Sequence, residues 1–156
     1  MQKKIFLLLF FLLLSSCGYE AIYSKKNSIN YNFSISELNL VGDRDINLKI
    51  KEKLNSYTLD KKNKNFKIKI SSTGTRTVSS KNIAGDATSF KSTVVIKVEI
   101  STSNKLKNSF VMSETFNYNN NSNKFSLKKY EREIKNNLAE TISEKLIFKL
   151  SNIQWY

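Results

Sequence analysis

Apolar and polar positions follow three different periods along this chain, and each period predicts a different kind of element. Ile5 to Leu14 is an unbroken apolar run of ten residues. As a helix it would be about 15 Å long, half of a hydrocarbon core, so it reads as a signal-peptide apolar region rather than a membrane span. From Asn32 to Leu40, Phe33, Ile35, Leu38 and Leu40 keep an imperfect period of two, which predicts a first strand ended by Gly42. Asp43 is placed to cap a helix, with Asp45 near its start and Lys49, Lys51 and Lys53 behind, a charge order that suits the helix dipole. Ile46, Ile50, Leu54 and Tyr57 fall within about 80° of one another at helical pitch and form its core face, with Leu48 opposite.

Phe66, Ile68 and Ile70 alternate with Lys67 and Lys69 as a half-buried second strand after a Lys/Asn-rich turn from Asp60 to Asn65. Strand, helix and strand in so short a span predict a right-handed crossover and parallel pairing. Ser71 to Ala87, rich in Ser, Thr and Gly, is expected to be a frayed strand end and a long hairpin loop closing near Gly85-Asp86. Phe90, Val94, Ile96, Val98 and Ile100 share one face of a third strand, and Lys91, Thr93, Lys97, Glu99 and Ser101 the other, with Val95 among them. After a turn at Asn104 to Asn108, a fourth strand has Phe110, Met112, Phe116 and Tyr118 on its apolar face. Glu114 falls in that set, which predicts a bulge or an exposed strand end there.

Asn119 to Asn123 is a loop. Ser126 to Leu150 then predicts a helix of about 37 Å, with Tyr130, Ile134, Leu138, Ile142, Leu146 and Leu150 as its stripe and Glu131 with Lys135 as an exposed pair. Ile147 lies outside that stripe, Phe148 at its far edge, and Trp155 and Tyr156 follow. Two helices must bury their stripes, and one face of a four-stranded sheet is the apolar surface available. The expected fold is therefore α+β: a two-layer sandwich of a four-stranded mixed sheet with two helices on one face, in the order β-α-β-β-β-α.

The start of the chain decides where this domain works. Lys3 and Lys4 precede the apolar run, and Leu14-Ser15-Ser16-Cys17 follows it. That order resembles the lipobox of bacterial lipoproteins, which implies cleavage before Cys17, diacylglycerol on its sulfur and an acyl chain, typically palmitate, on the new amine. Two or three acyl chains anchor essentially permanently where one holds marginally. Gly18, in place of an acidic residue, implies the outer membrane and its periplasmic face as destination. The expected organisation is residues 1–16 as signal peptide, 17–30 as lipidated tether and 31–156 as a single α+β domain.

Processing removes Lys3 and Lys4, and formal charge falls from +13 to +11. In a cytosolic protein that balance would point to nucleic acid; an envelope protein has no such partner. Only Arg44, Arg76 and Arg132 of 26 basic residues are Arg, whereas two-pronged phosphate recognition favours Arg. With Asn abundant and Pro absent, the charge reflects either a Lys-, Asn- and Ile-biased proteome or diffuse attraction to anionic envelope material such as lipid A phosphates. Cys17 is the only cysteine, so a lipidated chain has neither disulfide nor thiol nucleophile. With no His, the commonest general base and metal ligand is missing too. No spacing points to a Ser-Lys or paired-carboxylate enzyme, so neither an enzyme nor a cofactor beyond the covalent lipid is expected.

In element order the mature chain resembles the LptE family of lipopolysaccharide-assembly lipoproteins. The resemblance is carried by Cys17-Gly18-Tyr19 with Ile22-Tyr23 close behind, where relatives often show Pro-Leu-Tyr, and by the Gly85-Asp86-Ala87-Thr88-Ser89-Phe90 run into the third strand. The aromatic fourth strand and the last-helix segment Leu138-Ala139-Glu140-Thr141-Ile142-Ser143-Glu144-Lys145-Leu146, with Lys149-Leu150, complete it. Pro is missing from the tether. The resemblance implies a plug and assembly partner of an LptD-like outer-membrane β-barrel that inserts lipopolysaccharide into the outer leaflet.

Residues of the sheet's solvent face fit a polar barrel lumen: Lys67, Lys69, Ser71, Thr73, Thr93, Lys97, Ser113, Thr115 and Asn117. The candidate contacts to an anionic glycolipid are Arg76, Lys81 and Lys91 around the hairpin and Lys124 and Lys128 at the start of the last helix. The candidate partner contacts are Ile147, Phe148, Trp155 and Tyr156. Two other readings make different predictions. A stand-alone outer-membrane lipoprotein carrying a lipid or other hydrophobic ligand predicts an apolar pocket between helices and sheet, and an envelope hydrolase predicts a buried Lys beside a Ser.

Overall fold

The computed structural model of the chain describes residues 33–58, 62, 64–102 and 105–153. The signal peptide, Cys17, the tether and the Trp155-Tyr156 pair lie outside the described residues. Strand β1 (Phe33–Gly42) leads to helix α1 (Arg44–Leu54) and a 3-10 turn (Asn55–Tyr57). Strands β2 (Lys64–Lys81), β3 (Ala87–Thr102) and β4 (Lys105–Asn119) then precede helix α2 (Lys124–Ser151). The open sheet has the order β1-β2-β3-β4, with β1 parallel to β2 and the other pairs antiparallel, the expected mixed α+β topology.

The core lies between the sheet and the helix layer. Ile46, Ile50 and Leu54 from α1, Ile142, Leu146 and Leu150 from α2, and Ile70, Val94, Ile96 and Val98 from the sheet are all fully buried. Each such side chain stabilises the fold by roughly 1.5–3 kcal/mol relative to exposure. Phe33 closes one end, stacked on Tyr57 with ring centroids 4.8 Å apart and tilted against Phe66 at 5.9 Å. Leu48 stays exposed on the far side of α1.

Several elements differ from expectation for identifiable reasons. The imperfect alternation of β1 is a bulge: the pairing with β2 slips between Ile35 and Glu37, so Phe33 and Ile35 point inward before it and Leu38 and Leu40 after it. Residues 71 to 81 are not a frayed end and loop. They continue β2 in register with β3 as far as Val78 and, after two slips of register, to Lys81, and Asn82 to Asp86 makes a tight turn in which the Asp86 amide donates to the Asn82 side chain. Strand β4 begins at Lys105, within the predicted turn. Glu114 causes no bulge, because Val94 and Glu114 pair in an unbroken register. It faces the helix layer and forms an ion pair with Lys145 of α2.

Helix α2 buries a broader surface than the predicted stripe. Ala139, Ser143 and Ile147 join Leu138, Ile142, Leu146 and Leu150 in the core, because the helix packs on both α1 and the sheet. The Ser143 hydroxyl donates to the Ala139 carbonyl at 2.6 Å and so satisfies itself within the helix. Ile147, expected outside the stripe and free for a partner, is only 8% exposed. That expectation is corrected: Ile147 is core. Phe148, at 64%, is exposed as expected.

Candidate functional site

The length difference between β1 and β2 creates the site. Pairing of β1 stops where Gly42 meets Ser72, and β2 continues for nine more residues. At that point the chain turns away into α1. The Asp43 amide donates to the Ser72 carbonyl, and the Asp43 side chain caps α1 by accepting from the amides of Asp45 and Ile46 at 3.0 and 3.3 Å. The first turn of α1 therefore stands beside the inner face of β2 just past the end of β1, with α2 closing the other side.

A cleft of about 340 Å³ opens between these three elements. Its floor includes Gly74, where an added Cβ would lie 3.1 Å from the Asp43 carboxylate and 3.2 Å from the tip of Ile46, so α1 comes close to the strand here and a side chain would press on both. Two charged groups span it. Lys135 of α2 bonds Asp45 at 2.7 Å and Asp43 at 3.3 Å. Arg76 of β2 donates from Nε to Glu131 at 2.8 Å and lies over the Phe90 ring, 3.6 Å from its centroid. The Tyr118 hydroxyl donates to the same Glu131 oxygen at 2.8 Å. Lys128 and Arg132 complete the lining, so four cations face three carboxylates and the cleft is net positive by one.

These contacts set the protonation states. Burial raises the Tyr118 phenol above its ordinary value, and the bond to Glu131 adds to the effect against the opposing Arg76. Burial works against the Lys135 charge, but its bonds to Asp45 and Asp43 outweigh that and hold the amine above the usual range. The same bond from Lys135, with its charge, holds the Asp45 carboxyl below its usual range. Tyr118 thus stays a neutral phenol at neutral pH, while Lys135 and Asp45 stay charged, an arrangement suited to electrostatic contact.

Of the predicted basic contacts, Arg76 and Lys128 meet in this cleft. Lys81 and Lys91 do not join them: Lys81 ends β2 at the hairpin turn, and Lys91 alternates with buried Phe90 and so lies on the opposite face of the sheet. Lys124 opens α2 and is exposed. The predicted Glu131–Lys135 pair is replaced by the two bridges to other elements, Glu131 to Arg76 and Lys135 to Asp43 and Asp45. Sequence reading missed Lys135, Arg132 and the two aspartates as cleft residues. The signals that mark them are a lone glycine within a strand and an Asp-x-Asp helix start.

The opposite face of the sheet is covered by neither helix. Across its middle run the rows Thr73-Val95-Ser113, Thr75-Thr93-Thr115 and Thr77-Lys91-Asn117, rich in hydroxyls as expected, with the exposed Val41 and Val111 on the same face. Its lysines are partly neutralised: Lys67 pairs with Glu37 at 3.2 Å and Lys97 with Glu99 at 2.8 Å.

This fold occurs in bacterial lipoproteins. Rare lipoprotein B from Shewanella oneidensis superposes with a TM-score of 0.57 at 12% identity, over 74% of this chain and 93% of that one. A minor lipoprotein from Acinetobacter baumannii gives 0.57 at 13%, over 78% and 91%. Lipoprotein B from Nitrosomonas europaea gives 0.58 at 11%, over 76% and 83%. At these identities the likeness is one of fold. No protein-family model matches the chain, and no curated protein does. Among the described residues no helix is long and apolar enough to cross a membrane, and no cluster of side chains has the makings of a metal site.

Proposed function

We propose that this protein is a lipid-anchored outer-membrane lipoprotein of the LptE type, which plugs and helps assemble the β-barrel that inserts lipopolysaccharide into the outer leaflet. The observation that carries the reading is the bare sheet face. A four-stranded surface mostly of small polar and hydroxylic side chains, with Lys67 and Lys97 paired to glutamates and valines such as Val41 and Val111 as its apolar side chains, suits a polar barrel lumen. The lipobox at Cys17 and a fold shared with lipoproteins support the same reading. The net positive cleft at Arg76, Lys128 and Arg132 is the candidate contact for the anionic headgroup, since charge-assisted bonds to phosphate are about twice as strong as neutral ones. Of the predicted apolar partner contacts that lie among the described residues, Phe148 is the exposed one and stays a candidate. The protein performs no catalysis and carries no cofactor beyond its lipid.

Isolation of the chain from detergent-solubilised outer membranes tests this directly: a large β-barrel should accompany it in stoichiometric amount. Cys17→Ala should accumulate as unprocessed, unlipidated precursor. Recovery of the native chain alone, or normal maturation of that variant, would refute the reading. The stand-alone carrier of a hydrophobic ligand is less well supported, because fully buried Ile50, Ile70, Val98 and Ile142 occupy the interlayer where an apolar pocket was expected.

A further inference from the structure

A second cleft adjoins the first at the hairpin end of the sheet, and its chemistry is of another kind. It measures about 790 Å³, within the range of small-molecule sites. It lies between the tip of the β2–β3 hairpin, the end of β4 and the first turns of α2. Four Asn, four Ser, three aromatic residues and one Leu line it, and none carries a charge, in a chain where 25% of residues do. Twelve residues drawn at that frequency would include about three charged ones.

We infer that this cleft is a binding site for a neutral saccharide. A pyranose offers a C–H face and a rim of hydroxyls, each both donor and acceptor. Asparagine amides and serine hydroxyls are the side chains that also do both, and aromatic rings supply flat apolar platforms with polar edges. Phe116 and Tyr130 are each 45% exposed, unusual for rings not needed to fill a core. Tyr130 is held edge-on to Tyr118 at 6.0 Å, so its ring is already positioned. The Tyr118 hydroxyl is committed to Glu131, which leaves its ring as what it can offer here.

Two features argue against an anion at this place. The amides of Phe125 and Ser126 at the start of α2 both donate to the side chain of Asn123, at 3.1 and 3.0 Å, so the donors that would attract a phosphate are already satisfied. The lining itself supplies no cation. Some of the amides serve the fold: Asn120 donates to the Ala87 carbonyl at 2.8 Å, and Asn121 accepts from the Asn123 amide at 2.9 Å. The hydroxyls of Ser79, Ser80 and Ser126 make no hydrogen bond among the described residues and are the ones the saccharide would engage. The inference does not rest on the barrel reading, and it differs from the headgroup contact proposed above, which depends on charge.

The test uses the full chain in a detergent that carries no sugar, titrated with maltotriose, with triacetylchitotriose and, as the charged comparison, with glucose 1-phosphate. At least one of the neutral trisaccharides should bind, perturb the backbone amide signals of Ser80 and Ser126 in proton–nitrogen spectra, and hold its affinity as ionic strength rises. A preference for maltotriose would point to hexose chains such as those on a lipid-linked headgroup, and a preference for triacetylchitotriose to N-acetylated wall glycan. Replacing both Phe116 and Tyr130 by Ala should weaken binding roughly tenfold or more. Because both rings are half exposed, the urea midpoint of that double variant should stay near that of the native protein. Binding by neither trisaccharide, signal changes confined to other parts of the molecule, or salt-sensitive binding of glucose 1-phosphate alone would overturn the inference.

Discussion

Replacing Gly42 by Ala should destabilise the protein more than the same change at either of the other described glycines, Gly74 and Gly85. Gly42 lies at φ +104°, and a Cβ there would sit 2.0 Å from the carbonyl oxygen of Ser72. Backbone strain of that kind costs about 1–3 kcal/mol. The overlap is with backbone, so no side chain can rotate away, and forcing the strands apart costs about 1–3 kcal/mol more. The same Ser72 oxygen accepts the Asp43 amide, so displacing it also loosens the cap of α1 and the reach of Asp43 to Lys135. Gly85 provides the control: at φ +91° it is similarly strained, but an added Cβ would meet nothing within 4 Å. In urea titrations at unchanged slope, Gly42→Ala should lower the midpoint by about 1 M or more, and Gly85→Ala by clearly less. Equal shifts would refute the reasoning, because they would mean that the contact with Ser72 is not what fixes the end of β1.

Three further outcomes follow from the side-chain contacts. Ile147→Ala should cost about 2–5 kcal/mol in a urea titration, whereas Phe148→Ala should leave stability unchanged and weaken only retention of a partner. Glu131→Gln should move the titration of Tyr118 down towards its ordinary value without removing the rise that burial causes, which tyrosine-selective NMR would read. Asp45 stabilises the fold fully above its usual 3.8 and loses that contribution as pH falls through its depressed native value. The difference in urea midpoint between the native protein and Asp45→Asn should therefore close as the pH is taken below 3.8. On the alkaline side, the contribution of Lys135 is full below 10.5 and is lost as pH rises through its raised native value.

The fold was legible wherever one face of an element is buried, because burial imposes a period. Ile46, Ile50 and Leu54 announced α1, and Phe90 to Ile100 announced β3, since each keeps its buried residues on one narrow face. Legibility failed where that condition fails. Residues 73 to 81 extend past β1 and the main core, so Arg76 and Val78 occupy inward positions that elsewhere belong to Ile, and the alternation disappears. The second layer of contacts on α2 hid Ile147, because a helix touching both α1 and the sheet buries more than one stripe. The site was less legible than the fold. Arg76 and Lys128 were recognisable as charged residues near a hairpin and a helix start, but that Lys91 faces away while Lys135 faces in depends on strand parity and on where β1 stops. Both follow from pairing, which single-chain periodicity does not contain.

Past Ser72, among the described residues, β2 has no strand beside it on its β1 side. A seam of open amide and carbonyl groups invites other copies of the chain to add a strand there. Thr, Ser, Gly, Arg and Lys make up this stretch with Val78 as its one large apolar side chain, and dry, interlocking zippers need the opposite composition. The same dilution of apolar residues that disguises the strand in the sequence keeps its open border from fusing with its neighbours.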